Sequence, residues 1–263
     1  MTTSSPLLAN YRLTLAYDGR AFLGWQRHAD KPTVQFVLEQ AVTQAFAVRV
    51  PVQGSGRTDR GTHAHGQVAS LPLPADTPAE QVKEKLNLVL PETVRIIDVR
   101  CVPDDFHACD SALAKRYRYK IWNHRKLPVE YDGRVWHVKE PLDVQAMTEA
   151  CSVFMGEQDF ASFATRTNFK QKSTRRRVVE ADLSQEGPML TFDICADGFL
   201  YKMVRNIVRA IVKVGEGRYT REDLVRILEA RDRQATPGTA PASGLYLEEV
   251  FYRCDELSEN LRK

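Results

Sequence analysis

The order of apolar and polar positions predicts strands that alternate with amphipathic helices. Tyr11–Tyr17 alternates like a half-buried strand and ends at the turn signature Asp18-Gly19. From Thr33, which has the character of an N-cap, apolar residues recur at the spacing of one helix face as far as Phe46. Further strands are predicted at residues 94–102, 117–122, 175–183, 189–195 and 244–252.

Capping residues and glycines locate the other helices. Thr77-Pro78-Ala79-Glu80 has the form of a capping box with proline at the first helical position. The clearest apolar stripe predicts a helix from Phe199 to Lys213 that ends at Gly215, with Lys202, Arg205 and Arg209 on its polar face. The remaining helices are predicted at 143–154 and after the cap residue Thr220.

The composition is that of a globular protein with a sizeable core, since 43% of its 263 residues are hydrophobic. The first residues lack a basic region followed by an apolar run, and no apolar stretch is long enough for a membrane helix, so neither secretion nor membrane insertion is expected. The five cysteines are scattered and include no C-x-x-C pair. They are expected to be reduced, mostly buried thiols of a cytosolic protein, without a disulfide framework or zinc site.

The distribution of charge is more informative than the formal net charge of +3. Three windows, 111–128, 160–179 and 198–215, contain several lysines and arginines but no aspartate or glutamate. Aromatic residues are interleaved with these cations, which favours a partner made of phosphates and bases. The same charges would also suit an ordinary solvated surface.

The segment from Gln53 to His65 is the strongest candidate for chemistry. Glycines surround Arg57 and Asp59 in a stretch too polar and flexible for a core. If the backbone is extended there, Arg57 and Asp59 point the same way, and the cation keeps the carboxylate ionised, as a nucleophile or base requires. Taken alone, such a pair favours a turn whose aspartate caps backbone amides and whose arginine closes a surface ion pair.

The segment Gly56–Ala64 resembles the catalytic motif of the TruA family of tRNA pseudouridine synthases. Tyr17–Gln26, Arg116–Lys120, Phe199–Val208 and Ala240–Leu247 resemble further motifs of that family, in the family's order and across nearly the whole chain. Two positions depart from the pattern: Thr62 stands where the family usually has valine, and Arg209 stands where many members have glycine.

The resemblance implies the residues of the site. Asp59 would be the catalytic carboxylate and nucleophile, with Arg57 as its motif partner and Arg205 as a second nearby cation. Tyr117 would stack on the target uracil, and Leu245 would line the pocket. Asp59 could attack the ribose C1′, remove a proton from C2′ or add to C6 of uracil, and the sequence leaves these three courses open. No cofactor or metal is needed for any of them.

Basic residues outside the site are candidates for contacts with the RNA backbone. These are Arg175, Arg176, Arg177, Lys202 and Arg209. The Arg175–Arg177 run would equally suit an exposed edge strand protected by charge. For Arg209 the pattern favours a solvated helix face over a phosphate contact. His63-Ala-His65 could mimic a metal pair, but only Asp59 is a further ligand at suitable spacing, so no metal site is expected.

The resemblance also implies the fold and the biology. We expect an α+β protein with two RRM-like halves, whose antiparallel sheets are flanked by helices and form a central cleft. The predicted domains are 1–105, which carries the catalytic aspartate, and 106–263, which carries the basic face. The expected substrate is uridine at positions 38, 39 and 40 of the tRNA anticodon stem-loop, and the expected protein is a cytoplasmic homodimer.

Two other functions fit parts of the same pattern. A noncatalytic tRNA-binding module would keep the basic surface without the chemistry, although the intact Gly56–Ala64 segment argues against it. A metal-dependent nuclease would use Asp59 and His63, and it would lose activity when a chelator is added.

Overall fold

The computed structural model describes residues 7–29, 31–165 and 173–253, which form two compact units. The first unit extends to Ala112 and also includes Leu247–Val250. The second consists of Leu113–Tyr246 and the described residues from Phe251 onwards. The division into domains 1–105 and 106–263 stays a prediction.

Antiparallel strands and two α-helices make up most of the described residues of the first unit. Strand β1 pairs with β4 on one side and with β3 on the other, and the short β2 also pairs with β3. Alternate residues of β1, from Tyr11 to Tyr17, are buried, as its sequence pattern predicts. The elements are β1 (Leu8–Tyr17), α1 (Val34–Phe46), β2 (Gln53–Gly54), β3 (His63–Pro74), α2 (Ala79–Val89) and β4 (Val94–Val102).

The two helices of this unit begin in different ways. The Thr33 side chain accepts a hydrogen bond from the Phe36 amide, which confirms it as the N-cap of α1. The predicted capping box at α2 is wrong, because Pro78 is the N-cap and no side chain caps the helix. Thr77 instead belongs to the turn before the helix, where its amide donates to the Pro74 carbonyl.

Mostly antiparallel strands and three α-helices make up the described residues of the other unit. Its strand order is β5-β9-β8-β7, and β6 lies parallel to β5. The elements are β5 (Ala114–Asn123), β6 (Trp136–Val138), α3 (Val144–Cys151), β7 (Gly156–Asp159), β8 (Arg175–Glu186), β9 (Met189–Ala196), α4 (Met203–Gly215), α5 (Arg221–Ala230) and β10 (Leu245–Phe251), of which Leu247–Val250 belongs to the first unit.

Helix α4 begins four residues later than its apolar stripe predicts. Lys202 has the left-handed conformation, with φ of 62°, and ends the irregular segment before the helix. The Tyr201 carbonyl accepts a hydrogen bond from the Thr165 amide, and the Met203 amide donates to the Leu200 carbonyl. Because the backbone makes these contacts, Leu200–Met203 forms a turn, and Lys202 precedes the polar face of the helix.

Strand β8 bears on one interpretation of the arginine run. Arg175, Arg176 and Arg177 pair with β7, whereas the pairing of β8 with β9 on its other side begins at Val178. The strand as a whole is therefore not an edge strand, but its first residues have a paired strand on the β7 side alone. The alternative that these charges protect an exposed edge stays a prediction.

The architecture confirms the predicted α+β class, whereas a central cleft shared by two halves stays a prediction. The expectation of mostly buried thiols is wrong for the described cysteines: Cys151 and Cys195 are buried, but Cys101 and Cys109 are exposed. Cys254 lies outside the described residues. None of the helices in the described part of the chain has the length and apolar character to cross a membrane.

Candidate active site

The segment that carries Asp59 connects β2 to β3 in the first unit. Asp59 is half-buried and the Arg57 side chain is exposed. The Thr62 amide donates to the Asp59 carbonyl at 3.1 Å, which closes a turn directly after the carboxylate residue. Partial burial suits a carboxylate that must meet a substrate while part of the bulk water is excluded.

Residues of the N-terminal segment hold this turn in place. The Trp25 amide donates to the Thr58 carbonyl at 3.0 Å, and the Thr58 hydroxyl lies 2.7 Å from the Tyr17 hydroxyl. The Tyr17 and Trp25 rings are buried, with centroids 6.4 Å apart. Thr58 is therefore fixed through both its backbone and its side chain, one residue before Asp59. The sequence pattern explains Tyr17 and Trp25 as core residues, but it does not reveal this positioning role.

The buried Tyr17 phenol makes the stability of the protein depend on pH in the alkaline range. Burial raises the pKa of Tyr17 from 10.0 to about 12, although hydrogen bonds with Thr58 and Gln67 act in the opposite direction. The folded state holds the phenol proton more tightly than the unfolded state does. The resulting contribution of Tyr17 to the free energy of unfolding is therefore fully present below pH 10 and is lost as the pH rises towards 12.

We expect the free energy of unfolding of Tyr17→Phe to fall less steeply than that of the wild type between pH 10 and 12. The difference over that window should be about 3 kcal/mol, because each pKa unit corresponds to 1.36 kcal/mol. Urea titrations at several alkaline pH values measure it. Parallel pH profiles of the two proteins would contradict the role of the buried phenol.

His63 connects the start of β3 to the N-terminal segment. It is buried, and its Nδ1 accepts a hydrogen bond from the Gly19 amide at 3.1 Å. The same nitrogen lies 3.4 Å from Asp18 Oδ1. Hydrogen bonds from Arg20 hold the pKa of the Asp18 carboxyl well below its ordinary value. His63 thus has a structural place beside the Asp59 turn, and its Nδ1 already has a partner.

Thr62 provides a test of how this turn is packed. Its hydroxyl is buried and finds no hydrogen-bond partner among the described residues, at the position where the related motif usually has valine. Thr62→Val should raise the free energy of unfolding by about 1 kcal/mol, because valine has nearly the size of threonine but lacks the unpaired hydroxyl. Thr58→Val is the matched control and should lower it by about as much, because the Thr58 hydroxyl pairs with Tyr17. Thermal melts that show the same sign for both variants would contradict this packing.

Arg205 is anchored in the second unit by the loop that precedes β10. Its Nε donates to the Ala240 carbonyl at 2.8 Å, and the Ala240 amide donates to the Arg205 carbonyl at 3.1 Å. The Tyr119 hydroxyl donates to the neighbouring Pro241 carbonyl at 2.7 Å. The half-buried guanidinium of Arg205 is thereby held in a defined direction, as a cation that assists catalysis requires.

The other proposed substrate residues of this unit are largely buried. The Tyr117 ring is 8% exposed and packs edge-on against Phe199, with centroids 5.0 Å apart. Leu245 is buried at the start of β10. The expected meeting of Tyr117, Leu245 and Arg205 with Asp59 combines residues of both units and stays a prediction.

Several basic residues of the windows without acids lie beside carboxylates from other parts of the chain. Arg118 forms two hydrogen bonds with the Asp193 carboxylate of β9, and Arg116 pairs with Glu180 of β8 at 2.9 Å. Arg175 pairs with Glu157 at 3.0 Å. Part of the apparent positive surface is therefore neutralised by neighbouring strands. Residues 166–172 of the middle window lie outside the described residues.

Other basic residues rest on aromatic rings. The Arg209 guanidinium lies 5.3 Å from the Trp136 ring centroid, so this part of the helix face is not fully solvated. The Lys202 ammonium lies 4.9 Å from the ring centroid of the exposed Tyr201. Among the described residues, no group of three or more His, Cys, Asp or Glu side chains could hold a metal ion.

Comparison with known proteins decides the family. A family model described as tRNA pseudouridine synthase matches residues 14–109 and 150–253. The chain belongs to the tRNA pseudouridine synthase family. A protein named tRNA pseudouridine synthase A from Methylacidiphilum infernorum is 43% identical, over 95% of this chain and 98% of that protein. Proteins of the same name from Citrifermentans bemidjiense and Rhodospirillum centenum are 40% and 41% identical, over 94% and 93% of this chain and 100% of each relative.

Membership of the tRNA pseudouridine synthase family confirms the resemblance to TruA proteins expected from the sequence motifs. The matched ranges include Arg57, Asp59, Arg205 and Leu245, whereas Tyr117 lies between them. Among solved structures, a chain from a Cbf5-Nop10-Gar1 complex aligns over 77% of this chain and 45% of that chain, at 16% identity and a TM-score of 0.35. That likeness is too remote to bear on the site.

Proposed function

We propose that the protein isomerises uridine to pseudouridine in tRNA, with Asp59 as the catalytic carboxylate. The observation that carries this proposal is the family match, whose two ranges include Asp59 and Arg205. The buried frame around the Asp59 turn supports it, because a reacting group must be held within a narrow range of positions. An unconstrained surface loop would not meet that requirement.

The reaction rearranges one nucleoside. The bond from N1 of uracil to C1′ of ribose breaks, and a bond from C5 to C1′ forms. The C5 hydrogen leaves as a proton and N1 gains a proton, so atoms and electrons balance without an oxidant or a second substrate. Asp59 would act by attack on C1′, by removal of the C2′ proton or by addition to C6. Arg57 and Arg205 would keep the carboxylate ionised during these steps.

The target uracil must leave its base stack to reach a carboxylate. Tyr117 would provide an aromatic face that offsets part of the lost stacking, at about 1–3 kcal/mol per base. Its present contact with Phe199 defines where that ring is held. Leu245 would add an apolar wall that excludes water from the base.

The proposed substrate is the tRNA anticodon stem-loop, with uridine at positions 38, 39 and 40. Arg175, Arg176, Arg177, Lys202 and Arg209 would contact phosphates, which position an RNA without reading its bases. Recognition of this kind accommodates several neighbouring target positions, because shape and backbone contacts dominate it. We further propose that the protein is a cytoplasmic homodimer. A tRNA is large enough to contact both subunits of such a dimer.

The choice of positions can be tested with tRNA transcripts that keep uridine at only one of positions 38, 39 and 40, with cytidine at the others. Each transcript should gain pseudouridine at its remaining uridine, and a transcript with three cytidines should gain none. Pseudouridine elsewhere in the tRNA would contradict the proposed specificity. Binding without any pseudouridine would favour the noncatalytic tRNA-binding module, and chelator-sensitive strand cleavage would favour the nuclease.

A further inference from the structure

A buried glutamine lies at the centre of the frame that holds the Asp59 turn. Gln67 is fully buried on β3, and all of its amide hydrogen-bonding positions are used. Its Nε2 donates to the Gly56 carbonyl at 2.9 Å and to the Tyr17 hydroxyl at 3.4 Å. Its Oε1 accepts from the Ser55 hydroxyl at 2.7 Å and from the Val68 amide at 3.1 Å.

These hydrogen bonds fix the backbone on both sides of Arg57. Ser55 and Gly56 bind the Gln67 amide directly, before Arg57. Gln67 also donates to the Tyr17 oxygen, and the Tyr17 hydroxyl is hydrogen-bonded to the hydroxyl of Thr58, which follows Arg57. One carboxamide therefore fixes, directly or through one phenol, the residues that lead into Asp59.

The local backbone explains how Gln67 reaches this position. The register between β1 and β3 shifts between Leu15 and Tyr17, so that Leu15 lies opposite Gln67 while Tyr17 lies opposite Ala64. This bulge leaves an additional β3 residue in the His65–Gly66 stretch. A Cβ atom at Gly66 would lie 2.1 Å from the Glu248 carbonyl oxygen, so glycine permits the close approach that forms there.

We infer that Gln67 is a positioning residue for catalysis, which sets the direction of Asp59 through the Ser55–Thr58 backbone. This inference rests on the proposed function of Asp59. A buried amide with all four positions occupied resists rotation, because each alternative orientation leaves several polar groups unpaired. The frame should therefore act on the rate of the chemical step more than on the affinity for tRNA.

The test is single-turnover isomerisation of tRNA by Gln67→Met, which preserves approximate side-chain size and removes the hydrogen bonds. Its rate at saturating tRNA should fall on the order of 10- to 100-fold, because a displacement near 1 Å can cost that much. Its Kd for tRNA should stay within about threefold of the wild-type value, since the RNA-facing cations are unchanged. Wild-type activity measured in parallel tests the proposed function itself.

Asn87→Leu is the matched control in the same unit. The Asn87 carboxamide makes a comparable pair of bonds with the Ile96 backbone, at 3.0 and 2.8 Å, and is remote in sequence from the Asp59 turn. The Asn87→Leu substitution should lower thermal stability and leave the single-turnover rate of the folded protein unchanged. Equal rates for Gln67→Met and Asn87→Leu, with an active wild type, would overturn the inference.

A second pair of variants decides the matter if Gln67→Met does not fold. Tyr17→Phe removes the link to Thr58, whereas Tyr11→Phe removes an equivalent bond from the same strand to the Thr77 carbonyl at 2.7 Å. Only Tyr17→Phe should slow the single-turnover step, by several-fold. Identical rates in these two variants would also overturn the inference.

Discussion

Asp59→Asn is expected to lower the isomerisation rate at saturating tRNA by about a thousandfold or more. The amide has nearly the shape of the carboxylate, but it is neither a nucleophile nor a base of comparable strength. Affinity for tRNA should change by less than about threefold, because the proposed phosphate contacts come from other residues. Single-turnover kinetics and filter binding measure the two quantities on the same preparation.

Asp98→Asn is the matched control for this change. Asp98 forms an exposed ion pair with Arg100 on β4, at 2.8 Å, which should contribute little to stability. Its isomerisation rate should equal that of the wild type. If a folded Asp59→Asn protein keeps about a tenth or more of the wild-type rate, Asp59 does not act in the chemical step.

Gly24→Ala should have the second largest effect, because Gly24 touches the same turn. Its φ is +99°, which a residue with Cβ rarely adopts, and an added Cβ would lie 2.8 Å from the Thr58 carbonyl oxygen. Strain and collision together should lower the free energy of unfolding by about 3 kcal/mol. The displaced backbone should lower the isomerisation rate by about a hundredfold at a temperature where the variant is folded.

Gly156→Ala separates backbone strain from collision. Gly156 has a similar φ of +88°, but no atom lies within 4 Å of the added Cβ. It should lose about 1–2 kcal/mol of stability through strain alone and keep the wild-type rate. Denaturation curves and single-turnover rates for both variants test this. Rates that are equally reduced in both, or in neither, would mean that the contact with Thr58 does not position Asp59.

Local sequence patterns predicted most of the regular structure. The alternation at Tyr11–Tyr17 and the cap at Thr33 both correspond to observed elements, because burial on one face and capping act over a few neighbouring residues. The start of α4 was beyond such patterns. The apolar stripe extends back to Leu200, but the Tyr201 carbonyl accepts a hydrogen bond from the Thr165 amide, distant in sequence, and the helix begins only at Met203.

The charge pattern failed for the same physical reason. Arg116 and Arg118 lie in a window without acids, yet Glu180 and Asp193 from neighbouring strands pair with them. Strand pairing brings together residues that are more than sixty positions apart in sequence. A one-dimensional window cannot show such neutralisation, whereas the register of β5, β8 and β9 does.

The candidate site divides in a similar way. The residues proposed to meet the substrate, Asp59 above all, followed from motifs, since reacting groups impose strong demands on residue type. The motifs assigned no role to Tyr17, which begins the Tyr17–Gln26 segment, or to Gln67, and the part that both play in positioning the turn was recognised only from their hydrogen bonds. Their selection depends on a β-bulge and on burial, which short-range sequence patterns do not specify.

The most direct test of the central claim is release of tritium from tRNA labelled at C5 of uracil, with a chelator present and no added cofactor. The wild type should release the label in step with pseudouridine formation, because the C5 hydrogen leaves when C5 binds C1′, and Asp59→Ala should release none. A folded wild-type protein that binds tRNA but releases no tritium would contradict the account.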